Sequence, residues 1–252
     1  MTALALPTRK DEAWRYANLD ALARVWPDVA GHVERIAVPA GESFARSIVR
    51  AADDDAVAVE TYEIVVGKGA RAAIHILAAG GDYGRIALDV TLHEGAHFEL
   101  GGAILGHGTQ TLEIVTTLTH AEPHATSNQV VRSVLGGRAT GSYLGKVAVA
   151  RDAQKTDAAQ SVKAMLLDRT ASANARPELE IFADDVKCAH GATVGELDAQ
   201  ALFYLMSRGL RPAEAKALLL HAFIAAAFEG IENEGERLRI EGQAVAALER
   251  ML

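Results

Sequence analysis

Two places in this chain set metal-binding or nucleophilic side chains at a chemically meaningful spacing. His93-Glu94-Gly95-Ala96-His97 spells H-E-x-x-H. On a helix that spacing puts two imidazoles on one face for zinc, with the glutamate as general base. The residues before it do not prepare a helix: Ile86, Leu88, Val90 and Leu92 alternate with Ala87, Asp89 and Thr91 as a strand does, and Gly95 favours a turn. On a strand–turn–strand the two histidines lose their i, i+4 alignment, which leaves a zinc protease as the weakest functional reading.

The second place is Cys188-Ala189-His190. If the segment is extended, the two side chains share one face, with alpha carbons about 6.6 Å apart at a rise of about 3.3 Å per residue. A thiolate and an imidazole so placed could bind one iron or zinc ion, or one could carry a sulfur species beside the other. Lys187 is placed to lower the thiol pKa. Two ligands do not close a metal site. The same pair also reads as a cysteine packed as a small apolar group and a histidine satisfied by a carbonyl. No other chemistry is spelled out. Gly67-Lys68-Gly69 lacks the spacing and the hydroxyl residue of a phosphate-binding loop, so any ATP hydrolysis must come from another chain. Gly141-Ser142-Tyr143-Leu144-Gly145 has its serine one place early for a nucleophile elbow.

The elements that must hold these residues fall into three regions. Residues 1–55 read as a helical segment: Thr8 and Asp11 have capping spacing, Trp14, Leu19 and Leu22 supply an apolar side, and Trp26-Pro27 ends a helix running from Thr8 to about Val25. Residues 56–191 read as strand after strand with glycine-bearing turns. Short strand cores recur near Ile114, Val131, Val147, Met165 and Ile181, about 17 residues apart. A regular rung length fits a β-solenoid better than hairpins, with a β-sandwich as the alternative. Residues 192–252 switch to a helical period. Asp198 can cap a helix carrying Leu202, Phe203, Leu205 and Met206 that Gly209 stops, Pro212 opens a longer helix to about Gly230, and a third runs from about Glu234 to Leu252. The apolar faces of this unit are larger than it can bury alone, which points to a partner protein.

The 252 residues are half hydrophobic, 5% aromatic and 23% charged, so the core must be aliphatic and the chain ordered. A formal charge of −8 with dispersed Lys and Arg argues against nucleic acid. The single cysteine suits a reducing compartment such as the cytoplasm. The apolar stretch from Ala3 to Pro7 is too short for a signal peptide, and Ala217 to Phe228 is too short for a membrane span, so no membrane is expected.

The run from Ala183 through Cys188, His190 and Gly191 to Asp198, continued from Ala201 to Gly209, resembles the signature of the SufB/SufD family of iron–sulfur cluster assembly proteins. Further resemblance covers His124 with Thr126 and Ser127, Ala153 to Ala158 with Gln160, and Arg9 to Tyr16. The Cys-x-His-Gly form and the single cysteine resemble the SufD branch. The resemblance implies a mainly β chain with a right-handed parallel β-helix core, a short amino-terminal helical segment and a carboxy-terminal helical subdomain. It implies a non-catalytic scaffold, paired with SufB through the β-helix and with the ATPase SufC through the carboxy-terminal helices around Arg208, Gly209, Leu218, Leu219 and Phe223. His190, with Cys188 auxiliary, would act in cluster assembly and transient iron binding at the SufB interface. The resemblance implies no tightly bound cofactor, only iron or a nascent cluster in the complex, and leaves open a reduced flavin there and a homodimer of the isolated chain. A purely structural subunit is the alternative. The region before the first expected strand, little more than fifty residues, is shorter than is typical of that branch.

Overall fold

The structure, a computed structural model, describes residues 5–52 and 55–252; the start of the apolar stretch at Ala3 lies outside them. Its strands are β1 (Glu34–Val38), β2 (Ser43–Ala52), β3 (Val57–Val66), β4 (Arg71–Gly80), β5 (Tyr83–Leu92), β6 (His97–Gly106), β7 (Thr111–His120), β8 (Thr126–Leu135), β9 (Thr140–Val149), β10 (Asp157–Leu166), β11 (Ser172–Ile181) and β12 (Lys187–Glu196). Odd-numbered strands form one six-stranded parallel sheet and even-numbered strands another, each in sequence order. The chain therefore winds as a β-solenoid, each turn laying one strand in each sheet.

Arg71, His97, Thr126, Asp157 and Lys187 stand in one row of register partners, so a full turn takes about 30 residues. The recurrence of about 17 residues is thus half a turn: Ile114, Val131 and Val147 lie in β7, β8 and β9, on alternating sheets. Alternation sends one face of every strand into a lumen filled by Ile74, Ile86, Leu88, Leu100, Ile114, Val131 and Val147. At one corner the turns stack by backbone hydrogen bonds, Gly69 N–H to Glu94 O, Gly95 N–H to Pro123 O and His124 N–H to Gln154 O. Each of these donors has a left-handed backbone, which Gly95 adopts without cost and His124 holds against a small steric penalty.

The solenoid is longer than the pattern suggested. The segment 1–55, expected to be helical, contains β1 and β2, and the first strand begins at Glu34. Arg46 and Arg50 hid β2 because they occupy inward positions, in register with Ile74 and Ala78. They are tolerated there because the first turn closes the lumen, where Arg46 pairs with Glu34 and Arg50 with Glu60. β12 likewise runs past 191 to Glu196, without the apolar alternation that marks a covered strand.

The single helix expected from Thr8 to Val25 is broken into a 3-10 turn (Glu12–Trp14), α1 (Leu19–Ala23) and α2 (Trp26–Val29). The Asp11 carboxylate accepts from Thr8 N–H at 2.7 Å and Thr8 Oγ1 at 3.1 Å. Asn18 then caps α1 by accepting from Ala21 N–H. Trp26-Pro27 opens α2 rather than ending a helix, because proline suits a first turn. These pieces cover the outer face of the odd-numbered sheet. There the Arg85 guanidinium lies 3.9 Å over the Trp14 ring and forms a buried ion pair of 3.0 Å with Glu113, which also accepts from Tyr83 Oη at 2.7 Å.

At the other end, α3 (Ala199–Ser207), α4 (Pro212–Ala225) and α5 (Glu234–Glu249) follow β12. Leu220, Ile224 and Phe228 with Ile240, Ala244 and Leu248 close over Leu77, Ala79, Ala103, Leu105 and Val134 on the outer face of the even-numbered sheet. Those strands are apolar on both faces for that reason. Gly101 permits the approach, since a Cβ there would lie 1.8 Å from Ala227 O. No helix among the described residues is long and apolar enough to cross a membrane.

Candidate functional site at the open end of the solenoid

The last turn leaves the lumen uncovered. β12 pairs only with β10 and β11 only with β9, so both present bare backbone groups at one end. Their inward rows continue the core: Cys188 follows Phe98, Ser127 and Ala158, and His190 follows Leu100, Gln129 and Gln160. With no turn beyond them these inward side chains meet solvent. Val194 is 50% exposed, Ile181 39% and neighbouring Phe182 60%. The opposite end is different in kind, since its charged pairs Glu34–Arg46 and Arg50–Glu60 are the usual guard on an edge that should stay unpaired.

Cys188 and His190 do share one face, as the extended reading of the segment expects. The thiol is half-buried against the lumen core and free of any disulfide, while the imidazole is exposed. The expected lowering of the thiol pKa by Lys187 is not found. Burial and then the Asp157 carboxylate push it up, because Lys187 points to the other face of the strand and has Asp157 as its register partner. The thiol is therefore protonated at neutral pH and not an activated nucleophile. No group of three or more His, Cys, Asp or Glu able to hold a metal occurs among the described residues. One thiol and one imidazole by themselves make only half of a four-ligand set.

The H-E-x-x-H residues are placed as strand, corner and strand. His93 Nδ1 sits 3.1 Å from Glu122 Oε1, and His97 Nδ1 2.7 Å from Thr126 Oγ1. Each imidazole is engaged with the next turn of the solenoid, and Gly95 provides the corner between them. The chelating face of a zinc protease is not formed.

The residues expected to dock an ATPase are spread over two faces. Arg208 caps α3 and its Nη2 donates to Tyr204 Oη at 3.2 Å, Gly209 follows in a left-handed conformation, and Leu218 projects from α4. Leu219 is half-buried, and Phe223 packs inward under the Arg132 guanidinium, 6.0 Å above its ring. Among the described residues the most exposed large apolar side chain, Phe203 at 72%, stands on α3 beside exposed Tyr204 and Met206. An apolar helical pattern reads Phe203 as packed, and the structure leaves it exposed on α3. α3 buries none of its residues.

A family model described as SUF system FeS cluster assembly, SufBD core domain, matches residues 28–223, which takes in all twelve strands and α3. The chain is 32% identical over 165 residues to an iron–sulfur cluster assembly protein SufD of Escherichia coli, covering 57% of this chain and 39% of the relative. It is 35% identical over 170 residues to an iron–sulfur cluster assembly SufBD family protein of Synechocystis, covering 67% and 38%. A SufD of Bacillus subtilis is 29% identical over 157 residues, covering 62% and 35%. The chain thus spans less than two-fifths of the length of these curated relatives.

Proposed function

The chain belongs to the SufBD core family of the SUF iron–sulfur cluster assembly system, and we propose that it is a SufD-type scaffold subunit. In this reading it pairs with SufB through the open end of its solenoid and with the ATPase SufC through its carboxy-terminal helices. One observation carries it: the single thiol of the chain and an exposed imidazole lie in adjacent inward rows, two residues apart, at the end of the lumen that no turn covers. Docking a second solenoid there extends both sheets by main-chain hydrogen bonds. It also excludes water from Cys188 and His190 and adds the ligands they lack.

The protonated thiol makes Cys188 an auxiliary donor. His190 supplies the imidazole nitrogen that meets incoming iron, and the sulfur chemistry belongs to SufB. ATP-driven movement of SufC is transmitted to the solenoid through α3 and α4, and the strain shifts the SufB interface so that nascent cluster atoms become accessible. The chain itself turns over no substrate.

The test is co-expression with SufB and SufC, followed by iron and sulfide analysis of the purified complex for the native chain and for His190→Ala. Cluster content should fall in the variant while the complex stays intact; unchanged content with SufC still bound sinks the role of His190. A purely structural subunit is favoured by the raised thiol pKa and the incomplete ligand set. It requires the double variant Cys188→Ser, His190→Ala to be silent as well.

A further inference from the structure

Besides the His120–Ser127 pair, the aliphatic lumen holds a buried polar group of four side chains just inside the open end. Thr116 Oγ1 donates to Gln129 Oε1 at 3.0 Å and lies 3.1 Å from Tyr143 Oη, and Tyr143 Oη donates to Gln129 Oε1 at 3.0 Å. Gln160 Nε2 donates to Tyr143 Oη and to the Gly145 carbonyl, both at 3.3 Å. Tyr143 reaches this position because it swings over Gly145, where a Cβ would fall 2.3 Å from its hydroxyl. Gln160 is only 3% exposed, yet its Oε1 has no partner.

An acceptor left bare inside a protein is unfavourable unless a donor reaches it. The amide cannot simply turn away, because its nitrogen is tied to the opposite sheet. The next residue of the same row, one strand spacing of about 4.8 Å further out, is His190. A neutral imidazole carries one N–H and one bare nitrogen. Histidines that meet a metal ordinarily give that N–H to a carbonyl or carboxylate, which fixes the tautomer and aims the free nitrogen.

We propose that Gln160 is a positioning residue for His190. Its Oε1 accepts the ring N–H, holds the imidazole in one tautomer and leaves the other nitrogen facing iron(II) at the partner interface. The Tyr143, Thr116 and Gln129 cluster is the anchor that keeps the Gln160 amide in that orientation. This inference rests on the reading of His190 as an iron ligand. The competing use of the same oxygen is an amide ladder with Gln129, whose Nε2 also lacks an acceptor.

Two measurements separate the inference from the reading beneath it. In the full chain at pH 8, long-range ¹H–¹⁵N spectra of His190 should show one tautomer. Gln160→Met, which keeps length and volume, should release the mixture of an unconstrained imidazole. In the complex with SufB and SufC, Gln160→Met should weaken iron(II) binding about 10- to 100-fold. An unchanged His190 tautomer in a folded Gln160→Met chain overturns the inference and assigns the oxygen to the Gln129 ladder. Unchanged iron binding in His190→Ala overturns the iron reading instead, whatever the tautomer.

Discussion

Lowering the pH from 7.5 to 5 should remove about 4 kcal/mol of stability through two buried histidines. His75 lies on the outer face of β4 beneath the carboxy-terminal helices, 3% exposed, and His120 closes an inward row of β7, 0% exposed. Burial lowers the pKa of each from 6.5 to about 4. The His120 ring is held neutral against Ser127 Oγ at 3.0 Å. A base whose folded pKa lies below its unfolded value stabilises the fold fully above the unfolded pKa. That stability drains away as pH falls from 6.5 towards 4, because the unfolded chain binds the proton first. At pH 5 each histidine has lost about 2 kcal/mol, and below pH 4 about 3 kcal/mol. Carboxylates held low by ion pairs, such as Glu236 at about 2 beside Arg239, lose their contribution only below about pH 4.5, so the window near pH 5 to 6.5 belongs to the histidines. Urea unfolding at the two pH values reads the effect. His120→Gln and His75→Gln should each start less stable, yet lose about 2 kcal/mol less than the native chain on going to pH 5. Equal losses in all three proteins would refute the assignment.

Gly145→Ala drives a Cβ into the Tyr143 ring and should cost about 1–3 kcal/mol. A fall of the thermal midpoint by several degrees in a scan would show it, and an unchanged midpoint would mean that Tyr143 does not hold the position over Gly145. Phe203→Asp alters a side chain that is 72% exposed, so stability should stay within about 0.5 kcal/mol while SufC no longer co-purifies. Retention of SufC would move its docking surface away from α3.

The solenoid was legible where strand chemistry was undisturbed. Ile86, Leu88, Val90 and Leu92 announce an inward face, and the carboxy-terminal helix starts marked by the Asp198 cap and by Pro212 in a first turn fall where side chain and ring geometry predict. The turn length was misread because the two sheets have similar corners, so half-turns recur as clearly as full turns. Inward arginines concealed β2, since alternation assumes that inward means apolar, and a lumen end breaks that assumption. The same assumption concealed the polar cluster: Thr116, Gln129 and Gln160 sit at inward positions where alternation expects apolar residues, and only the register reveals that they meet around Tyr143. At the candidate site the spacing of Cys188 and His190 was readable from their strand, whereas their exposure was not, because it depends on there being no further turn.

Amide hydrogen exchange of this chain, alone and with SufB added, tests the central claim most directly. If SufB docks on the open end, the edge amides of Ser172–Ile181 and Lys187–Glu196 should slow by orders of magnitude on binding, while Glu34–Val38 and Ser43–Ala52 at the charged end stay as they were. Protection confined to the first turn or to the helices, with β12 unchanged, would contradict it.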